Sequence, residues 1–167
     1  MKYVWIGGGV IMLLVLAVLV IGYTLPVKHT ATGEASFKAT PETLFALITN
    51  VEAFPTWRSD LKSADRVAST DGKQRFREVS SDGTIIYVLE SVEPGRRMVT
   101  RIDDKTLPFG GTWTYELTPG PGGRTSLRIT EDGEVYNPVF RFVSRFMMGH
   151  DSTIRKYLAA VGRQVPG

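Results

Sequence analysis

The chain opens with one long apolar run and then changes its hydrophobic period twice. Between Tyr3 and Val27 there is no Asp, Glu, Lys or Arg, and positions 4–25 are dominated by Val, Ile and Leu. A helix of about 20 apolar residues crosses a bilayer core. Residues 1–27 are therefore expected to form a transmembrane anchor, meeting the membrane through residues 4–25. Trp5 and Tyr23 stand near its two ends, where amphipathic rings favour the interface. Gly7, Gly8 and Gly9 weaken the first turns, which a lipid-embedded helix tolerates, and Pro26 ends the run. A cleaved signal peptide is the alternative. Its apolar region usually runs about 7–15 residues to a small-x-small site. Here the run is longer, and the best such site, Ala31-Thr32-Gly33, lies well beyond its end. Lys2 and the terminal amine on one side, against Lys28 and Lys38 on the other, orient the N-terminus to the cytoplasm and the rest of the chain outside.

Residues 28–33 read as a polar linker, and 34–165 as one domain. A first strand is expected over 35–39, with Phe37 as its main apolar residue. Thr40-Pro41-Glu42 then has the form of a helix start, with Thr as N-cap, Pro in the first turn and an acid near the helix N-terminus. That helix carries Leu44, Phe45, Leu47 and Ile48 and gives out near Asn50; a second short one covers 52–57. From there the period becomes two. Turn signals such as Asp71-Gly72, Asp82-Gly83, Pro94-Gly95 and Pro119-Gly120-Pro121 separate strand-length segments at 61–69, 73–80, 84–92, 96–103, 112–117 and 125–131. Short turns between them imply antiparallel neighbours in one meandering sheet. Trp113, Tyr115 and Leu117 alternate with Thr112, Thr114 and Glu116, as Leu127 and Ile129 do with Ser126, Arg128 and Thr130. That is the mark of a sheet buried on one side. A last helix is expected over 138–163, with Val139, Phe142, Val143, Phe146, His150, Ile154, Tyr157 and Val161 on one face. Arg141, Arg145, Ser152, Arg155 and Arg163 fall on the other. A strongly curved antiparallel sheet wrapped around a C-terminal helix, an α+β fold, satisfies the whole order.

Composition narrows the function more than the fold. Twenty basic and 17 acidic residues leave a net charge of +3 with no block of one sign, so nothing marks a nucleic-acid surface. There is no cysteine, which excludes disulfides, thiolate nucleophiles and Cys-based metal centres. The second histidine, His29, falls in the linker, leaving no two-histidine metal site in the domain. No Gly-x-Ser-x-Gly elbow or phosphate-binding glycine loop is present. Neither a metal nor a cofactor is expected.

Several stretches resemble the START-like (SRPBCC) superfamily of polyketide cyclase/dehydrase-type and lipid-transport proteins. They are Thr40-Pro41-Glu42-Thr43-Leu44-Phe45, Asn50 to Arg58, Gly111-Thr112-Trp113-Thr114-Tyr115, the Gly123-Arg124-Thr125 turn and the closing amphipathic helix. The resemblance covers roughly 34–164 and rests on the order and spacing of loose motifs. It implies a helix-grip fold with a cavity between the sheet and the last helix that accepts an apolar ligand. It does not imply one chemistry, since binders, carriers and a few enzymes share that fold.

Candidate site residues follow from the face each occupies. His150 lies mid-face on the last helix, either as a ligand contact or proton donor, or as a core histidine satisfied by one hydrogen bond. Gly149 before it marks a kink or a close packing contact. Glu131 shares parity with Leu127 and Ile129 and would point inward, where it could meet His150; at a strand end it could equally turn to solvent. Glu78 and Glu90 have a similar choice between the interior and surface ion pairs with Arg75, Arg77 or Arg101. Trp57, Tyr87, Trp113, Tyr115, Phe142, Phe146 and Met147 are candidate cavity walls, indistinguishable by sequence from ordinary core. Three functions remain: membrane-tethered binding of a hydrophobic small molecule or lipid, a cyclase- or dehydratase-like enzyme using His150 and an inward acid, or a ligand-free interaction module with a filled core.

Overall fold

The computed structural model describes residues 2–69, 71–149 and 151–165. Helix α1 (Lys2–Thr24) is followed by strand β1 (Lys28–Phe37), helix α2 (Pro41–Thr49), a 3-10 turn (Val51–Ala53) and a short helix α3 (Phe54–Trp57). Six further strands follow: β2 (Leu61–Val67), β3 (Arg75–Ser80), β4 (Thr84–Glu93), β5 (Arg97–Ile102), β6 (Phe109–Pro119) and β7 (Thr125–Val135). The chain closes with α4 (Pro138–Val143), a π-helical turn (Ser144–Met148) and α5 (Ser152–Gln164). The strands form one antiparallel sheet in the order β1-β7-β6-β5-β4-β3-β2. This is the α+β helix-grip arrangement, with α2, α3 and α5 closing the inner face of the sheet.

Local chemistry explains most element ends. Thr40 caps α2 by accepting from the Thr43 N–H at 3.3 Å, with Pro41 in the first turn. Asn137 caps α4 in the same way, its Oδ1 accepting from Val139 and Phe140. The alternation in β6 and β7 buries Trp113, Tyr115, Leu117, Thr125, Leu127 and Ile129 on the inner face. Thr125, though polar, is fully buried because its hydroxyl donates to the Ala39 carbonyl at 2.7 Å.

Two expectations are corrected. Residues 28–33 are the first half of β1 rather than a linker, paired residue by residue with β7 from Lys28 opposite Glu134 to Phe37 opposite Thr125. Polar Thr30, Thr32 and Glu34 face out, while the inward positions Ala31 and Gly33 are small because α5 passes close above them. A Cβ at Gly33 would stand 2.6 Å from Ile154 Cγ2. The single closing helix is broken as well. After the π turn Gly149 takes φ +73°, a left-handed conformation that ends a helix, and α5 starts anew at Ser152. Ile154, Tyr157, Leu158 and Val161 of α5 enter the core beside Leu44, Ile48 and Leu127.

Helix α1 is long and apolar enough over Gly7–Thr24 to cross a membrane, and nearly all of that stretch is exposed. It packs on α4. Gly22 lies so close to the Pro138 carbonyl that no side chain fits between them. Arg141, expected on the polar side of the last helix, is instead buried at this junction: its Nη1 donates to the Leu25 carbonyl at 2.9 Å and its Nη2 to the Tyr136 carbonyl at 3.2 Å. The end of a helix exposes unpaired carbonyls and a partial negative charge, and the guanidinium answers both.

Candidate functional site

The inner face of the sheet is built in rungs. One runs across Leu89, Thr100, Trp113, Glu131 and Ala31, and the next across Met98, Tyr115, Ile129 and Gly33. Over the β3–β6 part of these rungs the helices stand off, leaving a cavity of about 270 Å³. Its walls come from Ile48 and Phe54 of the α2–α3 side, Tyr87, Leu89, Met98, Trp113 and Tyr115 of the sheet, and Tyr157 of α5. Phe76 and Tyr87 stack with ring centroids 5.1 Å apart, forming a flat aromatic surface on one side.

A buried charged pair stands among these apolar groups, and Arg66, Arg75 and Lys156 also line the cavity. Arg58, just past the end of α3, donates from Nη1 to Glu78 Oε1 at 2.6 Å and from Nη2 to Asp60 Oδ2 at 3.0 Å. Its guanidinium also lies over the Phe54 and Tyr157 rings, at 5.6 and 5.3 Å from their centroids. Burial pushes the Glu78 carboxyl up, and the Arg58 charge pulls it back. Burial alone would lower Arg58, but Glu78, with Tyr157 and Asp60 adding to it, outweighs burial and holds the guanidinium above its ordinary value. A bond this short between groups of opposite charge is that of an ion pair. Burial likewise pushes the Tyr87, Tyr115 and Tyr157 hydroxyls up, so they remain neutral hydrogen-bonding groups.

Of the residues singled out in the sequence, Tyr87, Trp113 and Tyr115 stand on the cavity wall. Trp57 is buried behind it, packed edge-on against Phe54 and Tyr157 with centroids 5.5 and 5.6 Å away. Phe142 and Phe146 are not brought to the cavity; they pack on each other beside α1, and Phe146 is largely exposed. Glu131 does point inward, where burial pushes its carboxyl up to about 7 while a hydrogen bond from Trp113 draws it down. His29 Nε2 lies 4.0 Å from the carboxylate, and neither residue is on the cavity wall. His150 lies outside the described residues. Glu90 is a surface group paired with Arg101 and Lys73.

Arg58 and Tyr157 are wall residues that sequence reasoning passed over. Tyr157 was legible as an inward aromatic on the last helix. Arg58 had only an indirect signal: an inward Glu78 requires a cation, and the end of the short helix is the one place before β3 where an arginine follows two buried aromatics.

Residues 28–160 match the family described as polyketide cyclase / dehydrase and lipid transport. The fold is shared with solved structures. A START superfamily protein from Mycobacterium smegmatis aligns with a TM-score of 0.65 and 18% identity, over 82% of this chain and 97% of that one. A protein from Thermus thermophilus gives 0.66 and 17%, over 81% and 96%. An aromatase/cyclase from Streptomyces gives 0.64 and 11%, over 81% and 93%. No curated protein matches the sequence. From the match across its whole sheet and most of its last helix, the chain belongs to the polyketide cyclase/dehydrase and lipid-transport family.

Proposed function

We propose that the domain binds a largely apolar small molecule or lipid in the cavity between β3–β6, α2–α3 and α5, and that α1 tethers it to a membrane with its N-terminus in the cytoplasm. The observation that carries the reading is the cavity itself. About 270 Å³ in the middle of an otherwise packed domain is close to the lower end of ligand sites, roughly 300–1,000 Å³. A core with no ligand to hold would fill that space, since interiors pack to crystal density. Apolar walls supply affinity at about 25 cal/mol per Å² of buried surface.

The polar groups choose the head of the ligand. Among the arginines that line the cavity, Arg58 already gives its charge to Glu78 and Asp60, Arg66 to Glu52 and Arg75 to Asp71 and Asp103, while Lys156 on the lining is exposed to solvent. Hydroxyls of Tyr87, Tyr115 and Tyr157 suit a ligand hydroxyl or carbonyl. Glu131 and His29 stand beside the cavity rather than on it, and Glu78 is tied to Arg58. Binding is therefore better supported than proton transfer. Tethering raises the domain's concentration where apolar ligands partition.

The test is extraction and mass spectrometry of the full chain purified in nanodiscs, beside a Leu89→Trp variant that fills the cavity. A compound recovered with the parent and depleted in the variant supports the reading. Equal recovery from both, or nothing beyond bulk nanodisc lipid from either, overturns it.

A further inference from the structure

The segment from Pro138 to Met148 has an apolar surface that the domain does not use. Phe140 is 52% exposed, Phe146 60% and Met147 75%, with Val139 beside them. These side chains lie on α4 and the π turn, the part of the closing helical stretch that leaves the sheet and packs on α1. Arg145, also exposed, is the basic group among them.

The place where α4 meets α1 defines what covers this surface. Towards its C-terminal end, the residues of α1 withdrawn from solvent are Val18, Leu19 and Gly22, with Gly22 pressed on Pro138. They precede the end of α1 at Thr24 by two to six residues, about 3–9 Å at 1.5 Å per residue. All of them belong to the apolar stretch Gly7–Thr24. If that stretch crosses a bilayer, α4 is held at the depth of its last two turns, not above them. Amphipathic helices lying in an interface bury their apolar face by about 5–10 Å. Arg141 locks this level by bonding the Leu25 carbonyl at the end of α1 and the Tyr136 carbonyl at the start of α4.

We propose that Pro138–Met148 is a second membrane element, seated in the leaflet at the C-terminal end of α1, with Phe140, Phe146 and Met147 among the acyl chains and Arg145 reaching back to the headgroups. The proposal rests on the reading of α1 as a membrane tether. It makes the domain sit down on the lipid surface instead of swinging from a flexible stalk. A long basic side chain beside apolar ones suits such a position, since its stem can lie in the apolar layer while its charge reaches the phosphates.

The absence of cysteine permits a direct test with single labels on the full chain in phosphatidylcholine–phosphatidylglycerol vesicles. An environment-sensitive fluorophore is attached at Phe146→Cys or Met147→Cys, both exposed, at Leu14→Cys in the middle of α1, and at Arg96→Cys in the exposed β4–β5 turn. Nitroxide quenchers are carried on the lipids at a shallow or a deep position. The expected result is loss of fluorescence at 146 and 147 that is greater with the shallow quencher, loss at 14 that is greater with the deep one, and none at 96. Loss at 14 with 146 and 147 behaving like 96 overturns the interfacial element while leaving the tether standing. No loss at 14 sinks the tether and this proposal with it.

Discussion

The two parts of the closing helical stretch carry similar apolar residues and have opposite fates. In α5, Ile154, Tyr157, Leu158 and Val161 are buried against the sheet. In α4 and the π turn, Phe140, Phe146 and Met147 stay exposed. The dividing point is Gly149, whose left-handed backbone ends one helical direction and frees the next. Hydrophobic side chains on a helix report that some apolar surface will cover them. Which surface it is depends on where the chain has been turned.

The sharpest test of this contrast pairs Ile154→Ala with Phe146→Ala. Ile154 is fully buried, so its truncation should destabilise the fold by about 2–5 kcal/mol. Phe146→Ala should stay within about 0.5 kcal/mol in detergent. Urea unfolding of the full chain, followed by tryptophan emission, measures both, and similar losses would erase the distinction.

Glu131 stands between the two regions, on the β1–β7 ladder one rung from Gly33, which lies under α5. Its folded-state pKa of about 7 is above the ordinary carboxylic value. The folded protein thus holds the proton more tightly than the unfolded chain. That contribution is fully present below about pH 4.5 and is lost as pH rises to about 7, by at most about 3 kcal/mol. Glu131→Gln should flatten this part of the stability–pH curve between pH 4.5 and 8. An unchanged slope would show that the carboxyl is better solvated than its burial indicates.

Gly33→Val probes how tightly α5 is seated. The new side chain meets Ile154 and Leu158, and overpacking of this kind typically costs about 1–3 kcal/mol. Arg141→Met should have a smaller global effect, on the order of 1–2 kcal/mol, because it removes a charged cap from the end of α1. Its signature is local: amide exchange in α4 should accelerate while α5 is unchanged. Equal acceleration in both would mean that the two segments open as one unit.

Much of the fold was legible because its causes are local or periodic. The Thr40 cap, the two-residue alternation of β6 and β7 and the turn glycines each act over a few residues, and each appears where it was expected. The beginning of β1 was not legible for an instructive reason. Its inward positions are Ala31 and Gly33, small because α5 passes close, and small residues alternating with threonines read as a linker. For the candidate site, the aromatic residues of the wall were legible by parity, but the Arg58–Glu78 pair was not. Its members are 20 residues apart on different elements.

By itself, then, the sequence determined the apolar length of α1, the strand and helix periods, the lack of thiol chemistry and the inward set of β6 and β7. These follow from side-chain type and spacing along the chain. Tertiary structure alone decided that Phe142 and Phe146 leave the cavity, that Arg141 is buried at the end of α1, and that Arg58 neutralises Glu78. Each of those outcomes depends on which surfaces meet after the chain turns, and burial, unlike periodicity, belongs to the pair of surfaces rather than to either segment.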